Sequence, residues 1–476
     1  MYIYESIVDE IAALISSGQL LPDSRIPSVR EYASLRKVSV NSVKNAYRML
    51  EDQGLIVARP QSGYYVCDVL PSLKNTPIAP IYNPVQPLGE QSQLLAMLVD
   101  KQQDSRYTDL ALACPSGEHF YPVNRLRKLT SQLIRTDPAY YMRYALPPGS
   151  ARLRAQIARR GLLLGMNLVA EDILITHGTM DALSIAVKSC SRPGDVIAIE
   201  SPTFFNLTPL LKNLERQVVC LPTHPQSGLC LQTLEKCVID KKITALITIP
   251  SGHNPLGFVM PEENRRALAK MAAQYQFAII EDAMYAELQF NAPLIANIKA
   301  FDSEGWVMVC ASYTKTIAPD FRIGWLEAGR FKEQAFHQKF TSTVAESALL
   351  SDTLGLFLEN GGYDLHLRHL RRLYRRQLDR IRACIATSFP EGTRVSNPQA
   401  GFILWLELPE GCDTLALFHA ALDEHILCMP GLICSGNKAY NHCLRLAVCF
   451  DLTDRYRAAI RRLGQLAGLH LHQSRQ

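Results

Sequence analysis

The sequence predicts a chain of two folded parts: a small, mainly helical N-terminal domain and a large domain of the α/β class. The first observation is the length, because 476 residues are several times the size of a common single domain. The second is a helical hydrophobic pattern over residues 4–50. The third is an alternation of apolar strands and helical segments from residue 109 onward, typical of a parallel sheet covered on both faces.

The composition excludes several classes of protein. Hydrophobic residues make up 47% of the chain and charged residues 20%, unlike a fibrous or disordered protein. The N-terminus carries Glu5, Asp9 and Glu10 where a signal peptide needs a basic start, and no apolar run is long enough to span a membrane. The 13 cysteines are scattered without a Cys-x-x-Cys pair. We therefore expect a cytoplasmic protein without a membrane partner, whose cysteines are reduced.

The histidines do not predict a metal site. His253, His366 and His369 have no metal-ligating companions at useful spacing, and the HExxH motif is absent. We expect no metal cofactor.

Residues 4–50 predict three short helices. Apolar residues recur at helical spacing from Tyr4 to Ile15, which indicates an amphipathic first helix. Ser28 stands three residues before Glu31, the capping-box arrangement at the start of a second helix. After a short turn, Ser39 can cap a third helix. The outer face of that helix would carry Asn41, Ser42, Lys44, Asn45 and Arg48.

A basic hairpin is predicted directly after the third helix. Two short apolar strands, 55–58 and 64–66, flank a turn at 59–63. The proline-containing segment between the first and second helices is interpreted as a loop. Residues 25–59 hold seven basic residues against three acidic ones. Three helices followed by a basic hairpin predict a winged helix-turn-helix.

The stretch IPSVREYASLRKVSVNSVKNAYRMLEDQGLIVARPQSGYYV resembles the DNA-binding domain of the GntR family of bacterial regulators, over nearly all of residues 3–67. In that family the third helix enters the major groove of duplex DNA. The resemblance implies phosphate contacts from basic side chains, base contacts from short polar side chains, and a wing shaped by glycine. The residues that it assigns to DNA binding are Arg30, Ser39, Asn41, Ser42, Lys44, Arg48 and Gly63.

The domain limits follow from a proline-rich stretch. Residues 69–89 contain five prolines without helical or strand periodicity, which is typical of an extended linker. We expect a DNA-binding domain at 1–68, a linker and connecting helix at 69–108, and a large domain at 109–476. Buried strands of the large domain are predicted at 172–176, 196–200, 244–249, 277–281 and 307–311.

A lysine that follows the last of these strands is the centre of the expected site. Lys315 lies in CASYTKTIAPDFRIGWL, so its amine can stand at the carboxyl end of a strand, where open α/β sheets bind ligands. Ser312 and Arg322 flank it, and Asp282 ends another strand in AIIEDAMYAEL. This spacing resembles the fold-type I aminotransferase family, which binds pyridoxal 5'-phosphate (PLP), over residues 109 to about 465. The resemblance implies an α/β domain with a smaller C-terminal α+β subdomain.

The resemblance also implies a role for each residue at the cofactor. Lys315 would be the catalytic amine that forms a Schiff base with the cofactor, and Asp282 would hold the pyridine nitrogen protonated. Asn254, in SGHNPLG, and Tyr285 would bind the phenolic oxygen of the ring. Arg445, in CLRLAV, would bind the carboxylate of an amino acid, with Asn254 beside it. The other implied cofactor contacts are Ser312, Arg322, Gly178 and Thr179 at the phosphate, Phe204 stacked on the ring, and Tyr144 at the phosphate of a neighbouring subunit.

Some of these residues have a structural alternative. Arg445 could form a salt bridge at an interface, and Phe204 could be an ordinary core residue. The segment GTMDAL places Asp181 where the family commonly has an amide, so the contacts of Met180 and Asp181 are left open.

A second basic segment, LHLRHLRRLYRRQLDRIR at 365–382, carries seven arginines. One interpretation is a second surface for nucleic acid. Apolar residues at helical spacing favour a simpler interpretation, the solvated face of an amphipathic helix. That apolar stripe consists of Leu367, Leu370, Tyr374, Leu378 and Ile381.

A GntR-like domain, a linker and an aminotransferase-like domain in this order resemble the MocR subfamily of bacterial regulators. The resemblance implies a homodimer that binds double-stranded operator DNA and senses PLP, or an amine or amino acid, through an aldimine at Lys315. The alternative is an active aminotransferase that carries a DNA-binding domain, because the residues for transamination are all present. A third class, a structural protein with a vestigial site, would bind no cofactor.

Overall fold

The computed structural model describes residues 3–16, 19–21, 23–52, 55–59, 62–67, 76–78, 91–241, 243–435 and 438–473. The linker predicted at 69–89 therefore lies outside the described residues except for 76–78. A helix, α4 (Gln91–Gln102), lies where the connecting helix is expected. The domain limits at 68 and 108 stay predictions.

The N-terminal domain has the three predicted helices and the predicted hairpin, together with one further strand. Its elements are α1 (Ile3–Ser16), β1 (Arg25–Ile26), α2 (Val29–Arg36), α3 (Val40–Asp52), β2 (Ile56–Arg59) and β3 (Gly63–Val66). The strands form an antiparallel sheet in the order β1-β3-β2. The loop predicted before α2 is wrong at β1, because two residues are too few to show a strand period.

Local sequence explains where these helices begin and which way they face. The Ser28 hydroxyl accepts a hydrogen bond from Glu31 N at 3.3 Å, and the Glu31 carboxylate accepts one from Ser28 N at 2.7 Å, which confirms the capping box. In α3, Val43, Tyr47 and Leu50 are fully buried. The opposite face of α3 is consequently left to polar and basic side chains.

The large domain alternates strands and helices as predicted. Its first half contains β4 (Thr108–Asp109), α5 (Val123–Thr136), α6 (Ala151–Gly161), β5 (Ile173–Thr176), α7 (Thr179–Cys190), β6 (Val196–Ser201), α8 (Leu207–Asn213), β7 (Gln217–His224), β8 (Gly228–Leu229), α9 (Leu231–Lys241), β9 (Ala245–Thr248), α10 (Glu262–Tyr275) and β10 (Ala278–Asp282). Its second half contains β11 (Val307–Ser312), β12 (Gly324–Glu327), α11 (Lys332–Ser342), α12 (Ala348–Glu359), α13 (Gly362–Ser388), β13 (Arg394–Val395), β14 (Ile403–Glu407), α14 (Thr414–Asp423), β15 (Ile426–Leu427), β16 (Met429–Pro430), α15 (Gly431–Ser435), β17 (Cys443–Ala447) and α16 (Asp454–Gln473).

An eight-stranded sheet forms the centre of this domain, in the order β5-β12-β11-β10-β9-β6-β7-β8. All five predicted strands belong to it. The expectation of a parallel sheet is wrong at β12, which is antiparallel to both β11 and β5, and at β8, which is antiparallel to β7. No helix separates β11 from β12, so the chain turns back along its neighbour without a crossover.

The C-terminal α+β subdomain is present as expected. Its sheet has the order β13-β14-β17-β16, with each neighbouring pair antiparallel, and α16 packs against both α13 and α14. A parallel pair of β4 and β15 ties the start of the large domain to this subdomain. As a result, residues just after β4 lie between the large sheet and the small one.

Candidate cofactor site and nucleic-acid interface

Two cations from distant parts of the chain converge on one short segment. Lys315, in the loop after β11, donates a hydrogen bond from Nζ to the carbonyl of Ala113. Arg445, in β17, donates from Nη1 to the carbonyl of Ala111 at 2.6 Å. Burial lowers the pKa of the Lys315 amine, and the charge of Arg445 acts in the same direction. An amine held this way is uncharged more often, which suits nucleophilic chemistry.

The guanidinium of Arg445 has unused donors. The residue is completely buried, and its Nε and Nη2 have no hydrogen-bond partner among the described residues. Burying such donors without a partner costs free energy. A carboxylate, which can accept two parallel hydrogen bonds from one guanidinium, is the ligand that fits.

Three more predicted residues surround the carboxyl ends of β9 and β10. Asp282 ends β10, and its Oδ1 accepts a hydrogen bond from Met284 N at 3.0 Å. Burial raises the pKa of Asp282 to about 7. Asn254 is buried, and its Oδ1 has no partner within the described ranges. A Cβ on Gly252 would lie 2.8 Å from Tyr285 Cβ, so the loop that carries Asn254 closes directly on Tyr285.

The predicted phosphate residues form a concave surface at the start of α7. Gly178 is the N-cap of α7 with φ of +77°, and a Cβ there would lie 3.1 Å from Arg322 Nη2. Arg322 is exposed, whereas the Ser312 and Thr179 side chains are buried. The Ser312 hydroxyl donates to Thr314 Oγ1 at 3.1 Å. A helix N-terminus, hydroxyls and an arginine together suit a phosphate group.

Thr314 was not predicted as a site residue, although it is a hydroxyl residue between Ser312 and Lys315 in the sequence. Its side chain is buried, and Oγ1 lies 3.8 Å from where a Cβ on Gly178 would be. Thr314 therefore belongs to the same concave surface.

These residues fit pyridoxal 5'-phosphate. The site offers an anion-binding helix start, a buried carboxyl at a strand end, a desolvated amine and a guanidinium with two open donors. Asp282 and Asn254 would face the ring, and Arg322, Ser312, Thr179 and the Gly178 backbone would hold the phosphate.

The candidate nucleic-acid interface is the outer face of α3 with the neighbouring start of α2. Asn41, Lys44 and Arg48 are exposed on α3, and Arg30 is exposed on α2. None of these three basic residues forms an ion pair within the described part of the domain. Basic side chains left open to solvent are available for phosphates.

Two serines and a glycine shape this interface. The Ser39 hydroxyl accepts a hydrogen bond from Ser42 N at 3.0 Å and lies 2.9 Å from Ser42 Oγ, so it caps α3. Gly63 has φ of +107°, and a Cβ there would lie 3.3 Å from Arg25 Nε. Arg25 was not among the predicted DNA contacts, and the pairing of β1 with β3 brings it to the wing.

Comparison with known proteins assigns both parts. Residues 110–463 match the family model for aminotransferase class I and II, and residues 3–66 match that for bacterial regulatory proteins of the gntR family. The chain belongs to the regulators that join these two domains. This confirms the predicted MocR-type arrangement and supports PLP as the cofactor of the large domain.

Individual relatives agree with this assignment. The uncharacterized HTH-type transcriptional regulators YjiR and YdcR of Escherichia coli K12 are 31% and 32% identical to this chain, and each alignment covers 97% of this chain and 98% of the relative. A multiple substrate aminotransferase from Thermococcus profundus superposes with a TM-score of 0.73 at 23% identity, covering 81% of this chain and 98% of that chain, which shows the fold of the large domain. None of the described helices is long and apolar enough to cross a membrane.

In this regulator, Asp181 belongs to a buried ion cluster beside the phosphate residues. Lys339, on α11, is fully buried, and its Nζ lies 3.3 Å from Asp181 Oδ2 and also donates to Glu346. Asp181 Oδ2 accepts a hydrogen bond from His177 N at 2.9 Å. Because His177 directly precedes Gly178, the cluster ties the start of α7 to α11. Sequence could not reveal a pair 158 residues apart.

A buried acid and histidine support the loop of Asn254. Glu200 accepts a hydrogen bond from Thr248 Oγ1 at 2.9 Å. Leu256 N donates to His253 Nδ1 at 3.3 Å, and His253 Nε2 lies 3.2 Å from Glu200 Oε2. His253 thus has a local structural partner, and the described residues contain no cluster of three or more His, Cys, Asp and Glu side chains suited to a metal.

Two predicted aromatic contacts stay predictions. Phe204 is half-buried beside Phe205, with ring centroids 4.8 Å apart, and it packs against a buried hydrophobic cluster to which α7 and α8 both contribute. The Phe205 ring centroid lies 5.9 Å from Arg445 Cζ, so it is the neighbour that approaches the arginine. Tyr144 is 80% exposed in the single chain, and no described hydrogen bond holds its side chain to the site.

Proposed function

We propose that the protein is a cytoplasmic transcriptional regulator that binds operator DNA through residues 1–68 and responds to PLP, or to an amine or amino acid, through residues 109–476, with residues 69–108 as the connection. The observation that carries this proposal is the convergence of Lys315 and Arg445 on the carbonyls of Ala113 and Ala111. A small molecule that binds to both Lys315 and Arg445 would replace their hydrogen bonds to the segment 111–113.

That segment is well placed to pass on a signal. Residues 111–113 begin two positions after the end of β4, and the helix before β4 is α4, which leads toward the N-terminal domain. A ligand that binds Arg445 through a carboxylate and competes with Lys315 through an amine favours a different arrangement of this segment. A ligand shifts a conformational equilibrium only if it binds the two states with different affinity. Contacts with both Lys315 and Arg445 would provide such a difference at the segment 111–113.

The site residues have separate tasks in this proposal. Bound PLP supplies an aldehyde that reacts with primary amines. Lys315 would present its amine to the aldehyde, Asp282 would hold a proton at the ring nitrogen, and Asn254 with Tyr285 would orient the ring. Ser312, Arg322, Thr179 and the backbone of Gly178 would hold the phosphate, and Phe204 would be the aromatic neighbour of the ring.

At the DNA, Lys44, Arg48 and Arg30 bind phosphates, and Asn41 with Ser42 reaches base edges. Ser39 fixes the start of the recognition helix, and Gly63 shapes the wing. The basic side chains are assigned to phosphates because they are exposed and form no ion pair in the described part of the domain.

A homodimer is part of the proposal. Tyr141, Met142 and Tyr144 are 72%, 79% and 80% exposed, an apolar patch that a second copy would cover. Tyr144 would then lie near the phosphate of the neighbouring subunit. Two DNA-binding domains in one dimer predict paired half-sites in the operator.

The first test is the near-ultraviolet and visible absorbance of the full-length protein with PLP, wild type beside Lys315→Ala, titrated with amino acids and amines. We expect a cofactor band in the wild type that the variant lacks, and one amine that shifts the band and changes DNA affinity. Failure to bind PLP would refute the cofactor assignment. A shifted band with unchanged DNA affinity would refute the sensing role.

A second candidate function is transamination, favoured by the lowered pKa of the Lys315 amine, which suits a base for proton transfer. Incubation of the PLP-loaded protein with amino donors and an oxo acid distinguishes the two. Turnover at ordinary enzyme rates would establish an active aminotransferase.

A further inference from the structure

The long helix α13 divides its arginines into two sets. One set is held by the protein: Arg371 Nη2 donates to the carbonyl of Glu287 at 2.7 Å, Arg375 donates to Asn291 Oδ1 at 3.5 Å, and Arg382 is half-buried. The second set, which we call the arginine row, is exposed along the middle part of the helix. Its members are Arg368, Arg372, Arg376 and Arg380.

The arginine row has a regular geometry. Its members are four residues apart, so they form one ridge of the helix, inclined to the axis. Each step advances about 6 Å, and the whole row extends about 18 Å along the helix. Four guanidinium groups at this spacing present a continuous line of positive charge.

Little negative charge neutralises this line. Arg368, Arg372 and Arg376 form no ion pair within the described residues. Of the two acidic residues in α13, Asp364 is paired with Arg160 at 2.9 Å. Burial raises the pKa of the other, Asp379, and the charges that act against this rise are those of Arg375 and Arg382, which are not members of the row.

The arginine row also lies beside the DNA-binding domain. Cys67 follows β3, the second strand of the wing, and its N–H donates to the carbonyl of Leu55 at 2.9 Å. Burial raises the pKa of the Cys67 thiol, and the charges of Arg376 and Arg380 act against that rise. The end of the wing and the C-terminal half of the row are therefore within electrostatic range of each other.

We propose that the arginine row is a second DNA-binding surface, which holds backbone phosphates of the duplex on the flank of the site occupied by α3. The inference rests on the DNA-binding half of the proposed function. A duplex carries a phosphate about every 3.4 Å along each strand, so a row of about 18 Å faces several of them. Arginine binds phosphate through paired N–H donors. The proximity to the wing favours DNA over an acidic protein as the partner.

This revises the interpretation that the sequence favoured. An apolar stripe correctly predicted an amphipathic helix, and Leu367, Leu370 and Tyr374 are buried. The sequence could not show that four of the seven arginines lie on one ridge, or that Arg368, Arg372 and Arg376 lack the acidic partners, within the described residues, that a solvated face usually has.

The test compares three variants of the full-length protein on mixed-sequence duplex DNA of about two and about six helical turns. The row variant is Arg372→Gln with Arg376→Gln. The control is Arg159→Gln with Arg192→Gln, two exposed arginines elsewhere in the same domain that form no described ion pair. The third variant, Lys44→Gln with Arg48→Gln, changes the recognition helix. Dissociation constants are measured over a range of salt concentrations.

On the long duplex, we expect the slope of log affinity against log salt to become shallower by about 1.8 in the row variant, because two phosphate contacts are lost. The control should keep the wild-type slope. On the short duplex, which lacks most of the flank, the row variant should differ less from the wild type. A second pair, Arg368→Gln with Arg372→Gln, should repeat the loss.

The outcomes separate this inference from the proposed function. If the recognition-helix variant loses affinity on both duplexes while the row variant matches the control, the row does not bind DNA and the inference is overturned. If the wild type binds neither duplex, the proposed DNA-binding function itself fails. Thermal melting of every variant checks the fold, and exposed arginines should leave the melting temperature unchanged.

Discussion

The two polar sites of this protein are built in opposite ways. On α3, Lys44 and Arg48 are exposed and form no ion pair in the described part of the domain. In the large domain, Arg445 is completely buried and its hydrogen-bonded nitrogen, Nη1, donates to a carbonyl, while Asp282 is buried and Lys315 is half-buried. One site uses charge that water already solvates, and the other holds charge that a ligand must compensate.

The difference determines how each site recognises its ligand. Exposed cations attract a polyanion over a distance, with a strong dependence on salt and little demand on geometry. Buried cations bind only a group that replaces the lost solvation with matching hydrogen bonds. Changes at α3 should therefore alter salt dependence, whereas changes in the large domain should alter stability, pH dependence and ligand choice.

The largest effect is expected at the buried ion cluster. Lys339→Met leaves Asp181 and Glu346 buried without their cation, and we expect a loss of about 3 to 5 kcal/mol in the free energy of unfolding, measured with urea. Asp181→Asn, which keeps the shape of the side chain and leaves Glu346 paired, is the matched control and should lose less. Equal stability of Lys339→Met and wild type would contradict the buried cluster.

A pH effect should follow from Asp282. Burial raises its pKa in the folded protein to about 7, above the ordinary value of 3.8, so between these values the unfolded chain releases a proton that the folded chain keeps. The free energy of unfolding of the cofactor-free protein should therefore fall as the pH rises from about 4 to about 7, by up to about 4 kcal/mol, and then level off.

Urea titrations of wild type and Asp282→Asn across this range test the prediction. The variant should lack this contribution to the slope, because an amide does not titrate there. Parallel stability curves for the two proteins would show that Asp282 keeps an ordinary carboxyl pKa.

A smaller and more selective effect is expected at Arg445. Arg445→Lys keeps the charge but loses the paired donors, so the response to amino acids should weaken by about tenfold to a hundredfold. The response of the variant to amines without a carboxylate should equal that of the wild type. Absorbance titrations with an amino acid and the corresponding decarboxylated amine measure both, and an equal loss for the two compounds would mean that Arg445 does not bind the carboxylate.

The smallest effect is expected at a single exposed cation. Lys44→Gln should make the salt slope of DNA binding shallower by about 0.9, with a modest loss of affinity. Arg36→Gln is the control, because Arg36 already pairs with Glu10 and has less charge to offer. Salt titrations that show no difference between these variants would remove Lys44 from the DNA contacts.

Features with a strong local signal could be predicted from the sequence. The Ser28 and Glu31 capping box, the helical period of α3 and the apolar strands that end near Asp282 and Lys315 each depend on a few neighbouring residues. Features without such a signal were missed. The two residues of β1 are too few to show the alternation of a strand. The antiparallel orientation of β12 depends on the absence of a helix between β11 and β12.

The sequence by itself determined the order of the two domains, the helices and strands of their cores, and the residue types available to a cofactor and to DNA. Only the tertiary structure decided which of these residues meet: Lys339 with Asp181, and Lys315 with Arg445 at the segment 111–113. The physical reason is that hydrophobic periodicity and capping act over a few residues, whereas burial and charge pairing depend on contacts between residues far apart in the chain.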